Sequence, residues 1–218
     1  MIKALLFDFD GTVVDSESVC LSAWSDTYAR HGVELSFERW RQGIGTLDGF
    51  DELDHLEELL GAPVDREAVV QEHRVRELEL LASESLRPGV AQYLADATRL
   101  GLRTAIVSSS GRAWIDPILQ RLGRAEGWGC FACAEGDATR AKPQPTLYLE
   151  ALEALGIGAA EAVAFEDSPN GVSAAHAAGI FCVAVPNAVT ARLDLSQADI
   201  VLDSLEDVPL DELLARVP

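Results

Sequence analysis

Lysine is almost missing from this 218-residue sequence: fifteen of the seventeen basic residues are arginine, and the two lysines are Lys3 and Lys142. A chain that prefers arginine everywhere else keeps lysine at one internal place, which singles out Lys142. Positive charge as a whole is scarce, with 17 Lys and Arg against 36 Asp and Glu. That balance argues against nucleic acid as a partner. It also means that an anionic substrate needs a local positive site. Long apolar runs are absent too; none approaches the roughly 20 residues that span a bilayer. Met1-Ile2-Lys3 leads into the first apolar stretch without a signal peptide's charged region, apolar core and cleavage site. The expectation is a soluble, cytoplasmic monomer with no membrane partner.

Cysteine is sparse and poorly placed for metal. Of Cys20, Cys130, Cys133 and Cys182, only Cys130-Phe131-Ala132-Cys133 forms a C-x-x-C, with no second pair at zinc spacing. That pair sits in a strand-like run, where positions three apart face opposite sides. The four read as free thiols of a reducing compartment. His31, His55, His73 and His176 show no partner spacing and read as structural or surface residues.

What is present centres on Ala4 to Glu17. Ala4 to Phe9 reads as a buried strand, interrupted by Asp8 and Asp10. Residues two apart in a strand point to one side, so both carboxylates face one spot before Gly11 turns the chain. Two like charges that close are costly without a cation or proton between them.

From about Ser16 to Leu86 the pattern is helical, with candidate N-caps at Ser36 and Asp65. From Arg87-Pro88-Gly89 onward, helical and strand patterns alternate. Strands are expected at 104–107, 130–134, 162–165, 180–185 and 199–202, and a closing helix at 208–217. Alternation of this kind implies a parallel α/β sheet flanked by helices. The expected division is a core of residues 1–15 and 87–218, with residues 16–86 inserted after strand one as a small helical domain.

Ligands of such sheets bind at the carboxyl ends of strands. Four polar sets follow the strands: Asp8 and Asp10; Ser108-Ser109-Ser110-Gly111; Lys142-Pro143; and Glu166-Asp167-Ser168-Pro169. Asp8, Asp10, Glu166 and Asp167 bring up to four negative charges against Lys142 alone. That excess needs a divalent cation, and oxygen ligands point to Mg²⁺. With Mg²⁺ and Lys142 in place, a phosphate dianion can approach a carboxylate. Asp8 is then the candidate nucleophile and Asp10 the general acid/base. Ser108, Ser109 and loop amides are candidates for the phosphate oxygens.

These four sets, with Asp8-Phe9-Asp10-Gly11-Thr12 the most specific, resemble the loop motifs of the haloacid dehalogenase (HAD) superfamily over nearly the whole chain. The helical insert resembles the subgroup of β-phosphoglucomutase and small sugar-phosphate phosphatases. The resemblance implies a Rossmann-like core and a mobile helical cap. It implies Mg²⁺ held by the side chains of Asp8 and Asp167 and the backbone carbonyl of Asp10. It also implies phosphate held by Ser108 and Lys142. Where β-phosphoglucomutase has a histidine in the first cap helix this chain has Cys20. Where the mutase has a Lys and an Arg in the cap loop, Ile44 and Asp48 stand. These departures favour water as acceptor, hence a phosphatase for a small phosphorylated metabolite such as a sugar or polyol phosphate. A phosphomutase, or a non-catalytic Mg²⁺- or phosphate-binding regulatory module, are the alternatives. Specificity is expected from the loop 43–48, Ser16, Cys20 and Arg112, whose guanidinium could take a second anionic group.

Overall fold

The computed structural model describes residues 1–44 and 50–218. Asp48 therefore lies outside the described residues. Six parallel strands form one sheet: β1 (Ala4–Phe7), β2 (Arg103–Ser108), β3 (Cys130–Cys133), β4 (Ala162–Glu166), β5 (Phe181–Ala184) and β6 (Ile200–Val201), ordered β3-β2-β1-β4-β5-β6. β1 lies in the middle, with Phe7 in register with Ile106 of β2 and Phe165 of β4. Its four residues are fully buried because both faces are covered. Leu5 and Phe7 point into one apolar cluster, Ala4 and Leu6 into the other. Phe7 stacks on Phe165 with centroids 4.8 Å apart.

The helices of the α/β part are α5 (Val90–Leu100), α6 (Arg112–Arg121), α7 (Thr146–Leu155), α8 (Pro169–Ala177) and α9 (Leu210–Leu214). Ser168 caps α8 by accepting the Gly171 N–H at 3.1 Å, with Pro169 at N1. The closing helix is shorter than the periodicity predicts: Pro209 is extended and delays its start to Leu210. The final strand also contracts to two residues at the sheet edge.

Between β1 and α5 lie α1 (Ser16–Arg30), α2 (Phe37–Trp40), α3 (Glu52–Leu60) and α4 (Arg66–Leu81). Asp15, Ser36, Asp51 and Asp65 cap them through their side chains. These helices surround an apolar cluster of their own, containing Trp24, Tyr28, Trp40, Ile44, Leu56 and Val69, with Val189 reaching in from the α/β part. The chain leaves and re-enters the α/β part side by side, through an antiparallel bridge between Val14 and Leu86. Arg87 secures the crossing, its guanidinium donating to the carbonyls of Gly11, Val185 and Pro186 at 2.5, 2.7 and 2.7 Å. Among the described residues no helix is long and apolar enough to cross a membrane.

Candidate active site

The strands β1, β2 and β4 end beside one another, and their carboxyl ends carry the polar residues. Asp8 follows β1 with its N–H still bonded to the Phe165 carbonyl at 2.9 Å. Ser108 and Glu166 are the last residues of β2 and β4, one position further into the strands than the pattern suggests. Lys142 arrives from the loop after β3, its backbone N–H donating to Ser109 Oγ at 3.2 Å.

Lys142 Nζ reaches Asp8 Oδ1 and lies 2.6 Å from Glu166 Oε1. Tyr148, which the sequence reading passed over, donates its hydroxyl to Glu166 at 2.5 Å. Asn187, equally unforeseen, donates to Asp167 Oδ2 at 2.7 Å. Asp8, Glu166, Asp167 and Lys142 are all buried. Burial pushes the Asp8 carboxyl up to about 8, Lys142 opposing the rise and Glu166 and Asp10 adding to it. Asp167 is pushed well above the usual carboxylate range by burial, then by Asp8 and Glu17. Burial works against the charge of Lys142, but Asp8 and Glu166 outweigh it and raise the ammonium's pKa.

One lysine does not balance these acids, and the chemistry of the donors fits a hard cation. Asp8, Glu166 and Asp167 each bring an oxygen within 4.8 Å of the others. Asp8 Oδ2 and Glu166 Oε2 are buried without a hydrogen-bond partner. All three ligand atoms are carboxylate oxygens, the donor type that Mg²⁺ takes. Two glycines make room for the arrangement. A Cβ on Gly11, whose φ is +80°, would fall 2.7 Å from Asn187 Nδ2 and closer still to Asp167 Oδ2. A Cβ on Gly171 would meet the Glu166 carboxylate.

Asp10 is held differently. Its Oδ1 accepts from Ser16 Oγ and Trp114 Nε1, both at 2.8 Å. Its Oδ2 accepts from Ser110 Oγ at 2.6 Å and Ser108 Oγ at 3.3 Å. Four donors, from α1, β2, α6 and the loop between the last two, thus orient one carboxylate beside Asp8. Ser16 is part of that support. Ser108 is almost fully buried and is engaged with Asp10 and the Ser110 N–H. Ser109 and Ser110 are the members of the serine loop that line the cavity.

The cavity above this centre measures about 360 Å³. Its floor is Asp8, Asp10, Lys142 and Asp167, and its walls include Glu17, Cys20, Ile44, Glu52 and Glu77 from the helical segment. Lys142 is the single cation among the described lining residues. Burial raises the Glu17 carboxyl to about 8, with Asp10 and Asp8 contributing.

Arg112 is not brought to this cavity. Its guanidinium pairs with Asp116 at 2.7 Å and lies 3.7 Å over the Phe131 ring. An Arg four residues before an Asp on one helix finds that local partner first. Of the two roles expected of the histidines, structural or surface, His73 takes the first. It is buried on α4 with Glu77 one turn away, beside Cys20 of α1. The i,i+4 spacing of His73 and Glu77 was readable; the approach of Cys20 was not. Cys130 and Cys133 do face opposite sides of β3, towards different apolar clusters.

Carboxylates and a lysine at the carboxyl edge of a parallel sheet, with a helical insertion after the first strand, define a hydrolase of the HAD type. The chain belongs to the haloacid dehalogenase-like hydrolases, whose family model matches residues 2–179. Among curated proteins it is 40% identical over 214 residues to YhcW of Bacillus subtilis (strain 168), provisionally named a phosphatase, covering 98% of this chain and 97% of that one. It is 31% identical over 215 residues to Hexitol phosphatase A of Escherichia coli (strain K12), covering 94% and 93%. Among solved structures, CbbY of Rhodobacter sphaeroides, as a variant in complex with xylulose-(1,5)bisphosphate, is 28% identical with a TM-score of 0.75, covering 98% of this chain and 99% of that one.

Proposed function

We propose that this protein is a Mg²⁺-dependent phosphatase that hydrolyses the monophosphate ester of a small sugar or polyol. The observation that carries the reading is the state of Asp8. One carboxylate oxygen is held by Lys142 and the other is buried without a partner, beside an Asp10 already oriented by four donors. Asp8, Asp167 and Glu166 would hold the cation. Bound there, Mg²⁺ supplies charge that offsets the repulsion between the phosphate and Asp8.

Asp8 attacks phosphorus and forms an acyl phosphate as the bond to the ester oxygen breaks. Asp10 gives its proton to that leaving oxygen. Water then enters, Asp10 takes its proton, and the new hydroxide oxygen bonds to phosphorus. Phosphate leaves and the Asp8 carboxylate is restored. Lys142 stabilises charge on Asp8 and on the phosphoryl oxygens throughout. Ser109 faces the same space, and its hydroxyl, which accepts from the Lys142 N–H, offers its own proton to those oxygens. Helices α1 to α4 act as the cap over the site, with the paired crossings at Val14 and Leu86 as its hinge.

The cavity lining argues for the substrate class. Among the described lining residues Lys142 is the single cationic side chain, so a second phosphate or carboxylate on the substrate would find no further positive side chain to receive it. This favours one phosphate on a remainder rich in hydroxyl groups. It disfavours a mutase, whose intermediate carries two phosphates, and a bisphosphate such as the one the CbbY variant binds.

The test is Mg²⁺-dependent hydrolysis of p-nitrophenyl phosphate by wild type and by Asp8→Asn, followed by a panel of sugar and polyol phosphates. Turnover that needs both Mg²⁺ and Asp8 supports the reading. A wild-type protein without metal-dependent turnover overturns it and leaves a regulatory module. Formation of glucose 6-phosphate from β-glucose 1-phosphate and a bisphosphate primer would favour the mutase.

A further inference from the structure

The helical segment contains a second cluster that phosphate-ester hydrolysis does not use. His73 and Glu77 sit one turn apart on α4, so their side chains share a face. Cys20 on α1 packs against that face, and one ligand atom from each of the three lies within 4.8 Å of the other two. We propose that Cys20, His73 and Glu77 form a binding site for a borderline divalent metal of the zinc class, separate from the Asp8 centre, with its remaining coordination position open to the cavity.

The donor set is one thiol, one imidazole and one carboxylate, a combination that suits Zn²⁺ and not Mg²⁺. Tetrahedral Zn²⁺ bonds of about 2.0–2.3 Å place ligand atoms roughly 3.3–3.7 Å apart. His73 Nε2 and Glu77 Oε1 stand at 4.0 Å, so modest side-chain rotation closes the site. The ligands are already supported from outside. Trp24 stacks on the His73 ring, centroids 4.0 Å apart and planes within 15°, and fixes its orientation. Arg74 holds Glu77 Oε2 at 2.7 Å and leaves Oε1 for the metal. Such outer partners are what metal sites use to aim their ligands.

His73 itself points to a ligand. It is 8% exposed; its buried Nδ1 makes no hydrogen bond of good geometry, the Ala23 backbone lies beside the ring, and Nε2 is the nitrogen that faces Glu77. Burial, with Arg74 nearby, holds the imidazole's pKa down at about 4, so the ring is neutral and its lone pair is available. Burial and the surrounding carboxylates keep the Cys20 thiol protonated without a cation; coordination removes that proton. Cys20 and Glu77 line the cavity, whereas His73 does not. The fourth position therefore opens towards the space above Lys142. The site requires no particular substrate for the Asp8 centre.

Titration of the full chain with Co²⁺, under saturating Mg²⁺, tests the proposal. Cobalt bound to a thiolate gives a near-ultraviolet charge-transfer band, and four-coordinate cobalt gives strong visible bands. One equivalent of both is expected, displaced by Zn²⁺. Cys20→Ser should abolish the charge-transfer band. Glu77→Gln should weaken binding by about tenfold or more, at least what loss of an outer partner costs. Asp167→Asn, which disables the other centre, should retain the band. Circular dichroism confirms folding of each variant, and if Cys20→Ser does not fold, Glu77→Gln alone decides. Absence of the band in wild type, its persistence in Cys20→Ser, unchanged affinity in Glu77→Gln, or its loss in Asp167→Asn would each overturn the proposal.

Discussion

Gly171→Ala separates two effects that have opposite signs. Gly171 is buried in the first turn of α8, and alanine in place of glycine ordinarily stabilises a helix by about 1 kcal/mol. Here the new Cβ would stand 2.5 Å from Glu166 Oε1, and closer still to Oε2 and the carboxyl carbon. Van der Waals contact needs more than 3 Å, roughly, so the carboxylate must move. It cannot move alone: Oε1 is bonded to Lys142 at 2.6 Å and to Tyr148 at 2.5 Å, and the residue is fully buried. Losing or distorting two buried charge-assisted bonds costs about 1–3 kcal/mol each. The helix gain offsets only part of this, leaving a net destabilisation of about 1–5 kcal/mol. Urea denaturation with and without Mg²⁺ measures the change. The Mg²⁺ concentration that half-saturates p-nitrophenyl phosphate hydrolysis should rise by about 10-fold or more, as when an outer-shell metal partner is disturbed. A variant about 1 kcal/mol more stable than wild type, with unchanged Mg²⁺ dependence, would refute the placement of Glu166.

Other expectations rest on single contacts. Tyr148→Phe removes one donor from Glu166 and should lower stability by about 1–3 kcal/mol in denaturant titration, since the remaining partner is Lys142. Trp114→Phe deletes one of the four donors on Asp10. It should lower kcat for p-nitrophenyl phosphate with little change in urea midpoint, the steady-state split being the readout. In metal-free protein, Glu17 has a folded pKa raised from 4.5 to about 8, so the folded state holds this proton more tightly than the unfolded one. The stability that Glu17 contributes is then greatest below about pH 4.5 and is lost as pH rises through 8, by at most about 1.4 kcal/mol per pH unit. Glu17→Gln should flatten that slope, as followed by thermal melts in EDTA from pH 5 to 9. Chelation should also abolish turnover, and excess Mg²⁺ should restore it.

Local chemistry made much of this protein legible. Asp8-Phe9-Asp10-Gly11-Thr12 combines an apolar strand, two carboxylates and a turn, and nothing distant is needed to read it. Ser36 and Asp65 announce their helices because capping involves residues only two or three apart. The central strands read clearly because burial on both faces forces continuous apolar runs. The ends of the chain were harder: at the sheet edge a two-residue strand leaves too little periodicity to measure.

Tertiary packing decided the rest. Tyr148 and Asn187 became partners of Glu166 and Asp167 only because α7, packed on β2 and β3, and the loop after β5 bring them to the end of β4 from 18 and 20 residues away. Arg112 follows a promising serine loop, yet the same helix supplies Asp116 and turns its charge away. His73 and Glu77 share one helix face by spacing alone, whereas Cys20 joins them only through the packing of α1 on α4. Apolar periodicity and charge were enough to read the parallel α/β sheet, the run of helices between β1 and α5, and the acids and lysine at the strand ends. Periodicity and charge are local properties, carried by every short segment. Which of those groups touch, and which acids line the cavity's other wall, followed from chain crossings at Val14 and Leu86 and from helix faces meeting across about fifty residues, relations that no local pattern encodes.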